Sequence, residues 1–177
     1  MKKYLFLLSL IVVSSACQKL FSFTYFNMEF NEDVVIKSAV GANLPFNFIT
    51  PNIETNADSV FESKDRRIKY IEEIVLEELQ LTITSPSNGD FSFLQKIKVY
   101  IISEGIEETL IAWNVNIPSE NQVINLTTTD LDLQEYIKAD NFSLRVGVET
   151  DEVFTSEYTI YIHTDFFVNL TVFGSVD

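Results

Sequence analysis

Residues 158–172 read YTIYIHTDFFVNLTV, and this run decides the fold. Tyr158, Ile160, Ile162, Thr164, Phe166, Val168, Leu170 and Val172 fall on one side of an extended chain. The period is two, which belongs to a strand; a helix would scatter the same residues around its axis. Aromatic and β-branched side chains also suit a pleated, half-buried surface. At ~3.3 Å per residue the unbroken run would span about 50 Å, long for a compact sandwich. A bend or bulge is therefore predicted near Thr164 and Asp165. The odd positions put Tyr161, Phe167 and Phe173 on the opposite face. They are core if a second sheet covers that face, and a stripe for ligand contact if water does.

The same period recurs upstream. Phe142, Leu144, Val146 and Val148 alternate with Ser143, Arg145, Gly147 and Glu149; Ile97, Val99 and Ile101 alternate with Lys96, Lys98 and Tyr100. Leu79, Leu81 and Ile83 alternate with Gln80 and Thr82. One wet face per strand is the habit of antiparallel sheets. Further strands are expected at 21–30, 34–40, 44–49, 109–115 and 122–126. Two segments depart from the pattern. Residues 64–73 fit a short helix through Ile68 and Ile71, with one long helix over 65–81 as the competing reading, because glutamate and leucine favour helices. Residues 130–139 fit a two-turn helix, with Asp132 and Glu135 at the spacing of a capping box. The stretch Ser85-Pro86-Ser87-Asn88-Gly89-Asp90 is a turn, with Asn88 and Gly89 able to take positive φ. The expected fold is all-β: an antiparallel, immunoglobulin-like β-sandwich of seven to nine strands with one or two short helices.

The chain's 177 residues carry 12 Lys and Arg against 26 Asp and Glu, a formal net charge of −14. Such a surface repels phosphate backbones, so no nucleic-acid partner is expected. At the N-terminus Lys2 and Lys3 precede an apolar run, 4–13, then Ser14, Ser15, Ala16 and Cys17. Ten residues rise about 15 Å as a helix, half of a bilayer core, so the run reads as a signal and not as a membrane span. With the only cysteine directly after small Ala16, it resembles the bacterial lipoprotein signal. That resemblance implies removal of residues 1–16 and lipid on Cys17; Ser14 departs from the usual leucine of the motif. Residues 17–20 are then a very short tether and 21–177 a single domain. Gln18 is not the aspartate that retains some lipoproteins in the inner membrane, so the outer membrane is favoured. One cysteine also excludes any disulfide framework.

Residues 79–118, LQLTITSPSNGDFSFLQKIKVYIISEGIEETLIAWNVNIP, are followed by 127–150, TTTDLDLQEYIKADNFSLRVGVET. With their flanks, roughly residues 65 to 165, they resemble small β-sandwich lipoproteins of Bacteroidota-type bacteria and, more distantly, the late-embryogenesis-abundant type 2 (WHy) sandwich. The resemblance implies an immunoglobulin-like sandwich with an envelope role and brings no catalytic residues.

Chemistry is sparse. His163 and Asp165 share a strand face, but no nucleophile motif accompanies them. One histidine and one lipid-committed cysteine cannot build a zinc site, so no metal and no cofactor are expected. Asp130 with Asp132, and Glu149 with Asp151 and Glu152, group oxygen ligands without matching a calcium loop; they read as solvated acidic loops. Trp113 reads as core. Asn125, Asn141 and Asn169 open Asn-x-Ser/Thr triplets that read as chance, and Asp58-Ser59-Val60 resembles a short O-glycosylation acceptor. The expectation is a non-catalytic envelope lipoprotein, a scaffold or protein-interaction module, held at the membrane through Cys17. It would meet an envelope protein at a sheet edge or along the long C-terminal strand. The alternative is a glycan- or lipid-binding module using Tyr161, Phe167 and Phe173.

Overall fold

A computed structural model describes residues 25–37, 45–63, 71–118, 120–150 and 156–170. Cys17 and Phe173, the signal and the tether lie outside the described residues. In chain order the elements are β1 (Tyr25–Ile36), β2 (Phe46–Ile49), β3 (Ile53–Glu54), α1 (Ala57–Ser63), β4 (Ile71–Ser85), β5 (Leu94–Ile102), β6 (Thr109–Asn114), β7 (Val123–Asn125), β8 (Thr127–Thr128), α2 (Gln134–Ile137), β9 (Asn141–Thr150) and β10 (Tyr158–Leu170). Two antiparallel sheets result. The first has the order β1-β10-β4-β7; the second runs β2-β9-β5-β6-β8, with β3 also paired to β9. The described residues form an all-β antiparallel sandwich with two short helices. Among the described residues there are ten strands where seven to nine were expected; β3 and β8, two residues each, are too short for alternation to reveal.

The inner faces supply the core. Ile160, Ile162, Phe166 and Val168 of β10 and Ile74, Leu76, Leu79 and Leu81 of β4 lie against Ile97, Val99 and Ile101 of β5 and Leu144 and Val146 of β9, all buried. Phe30 joins the layers, edge-on to Phe142 of the second sheet at 5.2 Å and to Phe166 of the first at 5.7 Å.

Several elements differ from the sequence expectation. Over 25–36 the strands expected at 21–30 and 34–40 are one, while 21–24 and 38–40 lie outside the described residues: β1 continues through Asn31, Glu32 and Asp33, with Glu32 on the inward parity beside Phe30 and Val34. The long helix over 65–81 is overturned, since residues 71–85 are β4; the shorter 64–73 helix fails over 71–73, and 64–70 lie outside the described residues. The physical reason is three β-bulges. Register with β10 slips at Glu72, Glu77 and Thr84, each an extra residue in β4. The buried positions therefore run 71, 74, 76, 79, 81, 83, and the three-residue steps imitate a helix. The irregularity expected near Asp165 is the middle bulge, carried by Glu77 on the partner strand. β10 itself alternates without interruption.

The 130–139 helix is one turn, not two. Its N-cap is Leu133, without a side-chain cap. Asp132 instead accepts from the Ile74 N–H of β4 at 3.1 Å and from the Gln134 N–H at 3.2 Å, and the Leu133 N–H donates to the Ile74 carbonyl at 2.7 Å. Asp132 is spent on fastening the crossover to β4. Helix α1 is unforeseen. Asn56 at φ +48°, a value asparagine tolerates, opens it, and Phe61 carries it into the core, edge-on to Phe26 at 5.7 Å.

Candidate functional site

β1 is the long edge of the molecule. It pairs with β10 from Tyr25↔Asn169 to Ile36↔Tyr158 without a bulge, and among the described residues no strand pairs with its other side. The other edge strands are two to four residues long. An unpaired strand presents a row of N–H and C=O groups that can accept another chain. Proline, lysine and bulges, common guards of such edges, are absent from β1. It carries carboxylates instead: Glu29 and Asp33 on the outward parity, Glu32 on the inward.

Beside this edge runs an open groove of about 550 Å³. One wall is β1 from Asn27 to Glu32; the other is Asn52, Ile53, Glu54, Thr55 and Asn56 of the facing sheet, with Val60 of α1. The second wall is anchored locally. Ile53 pairs with Phe142, the Thr55 N–H donates to the Asp140 carbonyl at 3.1 Å, and the Thr55 hydroxyl donates to the Ala139 carbonyl at 2.6 Å. The lining combines apolar Met28, Phe30, Ile53 and Val60 with Glu29, Glu32 and Glu54, and among the described residues it includes no lysine or arginine.

The outer face of the first sheet holds the residues singled out in the sequence. Tyr161 and Phe167 are half-buried there, not core. Phe167 stacks on Tyr25 at 5.6 Å, and Tyr161 lies between Asp33 and Thr82 in the ladder. Six residues apart on one strand, they stand about 20 Å from each other, with His163 and Asp165 between. The histidine and aspartate do not pair. His163 Nδ1 meets Asn31 Oδ1 at 2.7 Å, while Asp165 Oδ2 accepts from Asn27 Nδ2 at 2.8 Å. Each is used to bind β10 to β1.

On the second sheet Arg145 is clamped from three sides. It forks onto the Glu108 carboxylate, with Nε to Oε2 at 2.7 Å, donates to Asn47 Oδ1 at 2.7 Å, and lies 4.0 Å over the Tyr100 ring. The guanidinium holds Glu108 below the ordinary carboxylate value of 4.5, and the carboxylate raises Arg145 in return. A Cβ on Gly147 would come within 2.9 Å of Asn47 Oδ1, so the clamp needs glycine there. Trp113, expected in the core, is half-buried on this outer face, opposite Lys98 and Thr127. Glu149 pairs with Lys96 at 2.8 Å. Asp151 and Glu152 lie outside the described residues, among which no three His, Cys, Asp or Glu side chains converge as metal ligands.

No family model and no curated protein matches this chain. Among solved structures it is similar to a turnip yellow mosaic virus structure, at 10% identity and a TM-score of 0.25 over 86% of this chain and 100% of that one. It is also similar to FLHE, at 9% and 0.30 over 81% and 96%, and to a cocksfoot mottle virus structure, at 7% and 0.31 over 84% and 96%.

The groove was not foreseen. Its walls come from residues 27–32 and 52–60, in facing sheets, and no single-strand pattern joins them. The one available signal was Glu32, a carboxylate at an inward position of an otherwise apolar alternation.

Proposed function

We propose that this chain is a non-catalytic lipoprotein of the bacterial envelope, held by lipid on Cys17, whose sandwich is a protein-interaction module. The observation that carries the module is the edge of β1 over 27–33, beside which no described strand pairs, with a groove along it. Strand addition uses such an edge for main-chain hydrogen bonds and such a groove for alternate side chains. The partner-binding edge is β1; the long C-terminal strand, β10, has both sides occupied, by β1 and β4, and offers none. The anchor rests on the spacing of Lys2, Lys3, the apolar run and Ala16-Cys17, with the outer membrane favoured. The glycan or lipid reading draws less support, because Tyr161 and Phe167 stand far apart along β10 with His163 and Asp165 between them.

Two experiments test this. Lipid labelling and membrane fractionation of the wild type against Cys17→Ser should lose label and membrane association together in the variant; an unlabelled, soluble wild type overturns the anchor. A photo-crosslinking residue at Asn31 should give a discrete protein adduct in the native envelope, and silence from every edge strand overturns the module.

A further inference from the structure

We infer that the groove along β1 takes an extended, cationic segment of a partner protein as an added strand. This rests on the module reading and goes beyond it by naming the partner's chemistry. A strand laid beside β1 would alternate its side chains as β1 does. On the outer side it would meet Asn27, Glu29, Asn31 and Asp33; on the inner side it would cover Met28, Phe30 and Ile53 and reach Glu32 and Glu54. The complementary sequence carries Lys or Arg at alternate positions outside, and apolar residues with one further cation inside.

Charge decides among occupants. Among the described residues three carboxylates and no cation line the groove, and Asp33 continues the row. A second copy of β1 would set Glu29, Glu32 and Asp33 against themselves, and like charges across a strand pair are destabilising. An acidic envelope protein would be repelled in the same way. The carboxylates that leave this edge closed to its own kind leave it open to a basic strand. Glu32 is the sharper selector, because it stands at the inward parity beside Phe30, where its charge is less screened than an exposed one.

The test uses the folded chain and a blocked peptide of alternating lysine and valine, with the glutamate–valine peptide as control. The lysine peptide should slow amide exchange within residues 27–33, and its affinity should fall roughly tenfold as ionic strength rises from low to high. Triple reversal, Glu29→Lys with Glu32→Lys and Glu54→Lys, should invert the preference between the peptides. The milder Glu→Gln triple, which keeps side-chain size, should lose the preference at least tenfold, so a misfolded reversal variant does not decide the matter. Protection elsewhere with β1 amides untouched, equal binding of both peptides, or concentration-dependent dimerisation through β1 overturns the inference. Peptide failure alongside an Asn31 adduct to an envelope protein ends this inference and leaves the module reading standing. A bound peptide with no envelope adduct from any edge strand overturns the module reading and, with it, a partner protein as the occupant, and leaves only the preference of the β1 edge for a basic strand.

Discussion

Gly89 sits in a space that admits no side chain. It closes the turn by donating to the Pro86 carbonyl at 2.9 Å, and a Cβ there would lie 2.9 Å from the Tyr158 ring, 3.0 Å from Ile83 and 3.1 Å from the Pro86 oxygen. Its role is close approach, where the sequence pointed to positive φ. Gly89→Ala should cost about 1–3 kcal/mol, read from the urea midpoint, as overpacking does. Phe166, fully buried between Phe30 and Phe142, should cost about 3–5 kcal/mol on truncation to alanine. The Glu108–Arg145 pair gives a pH signature. Because folding lowers the carboxyl's pKa, its stabilisation is complete above 4.5 and drains away as pH falls through the lower folded value. The pair is partly exposed, so the effect is under about 1 kcal/mol. Thermal melts from neutral to acid pH should show Glu108→Gln losing that part of the acid sensitivity.

At the scale of elements, β4 separates what alternation reveals from what it hides. β5, β9 and β10 were legible because every second residue obeys one face. β4 was half legible: Leu79, Leu81 and Ile83 announce a strand, while the bulges at Glu72 and Glu77 turn Ile71, Ile74, Leu76 and Leu79 into a helix-like series. β1 was read as two strands because Asn31-Glu32-Asp33 looks like a turn, and pairing with β10 along its whole length overrides that local preference. The groove was illegible for the same reason, since its lining exists only once β1 is continuous and α1 has docked. The bulge makes a sharp prediction. Removing Glu77 leaves Leu76 and Leu79 facing inward, because the extra residue alone is lost, and the chain should still fold. Removing Gln80 should be far worse: even if the Glu77 bulge absorbs the slip, Leu79 turns to water and Glu78 turns to the core. Losing one buried leucine already costs about 2–5 kcal/mol. Circular dichroism and urea unfolding of the two deletions check the contrast.

Across the whole molecule, 26 carboxylates against 12 cations leave the folded chain repelling itself. Added sodium chloride should therefore raise the melting temperature, the opposite of what a fold dominated by surface ion pairs would show. A flat or falling trend in a salt series would contradict it. The same charge would press the domain away from anionic head groups, so the lipoprotein proposed above would be held by its acyl chains alone. The order of the first sheet has a consequence in time. β10, the last described strand, sits between β1 and β4, so these two neighbours have nothing to hold them to each other until residues 158–170 have been made. Pairings so distant in sequence form slowly, because a long loop must close first. A ribosome-bound or stalled product lacking those thirteen residues would keep only the short β4–β7 pairing of the first sheet, with β1 left without a neighbour. For the exported lipoprotein proposed above, that delay would keep the leading segment threadable until residues 158–170 have been made.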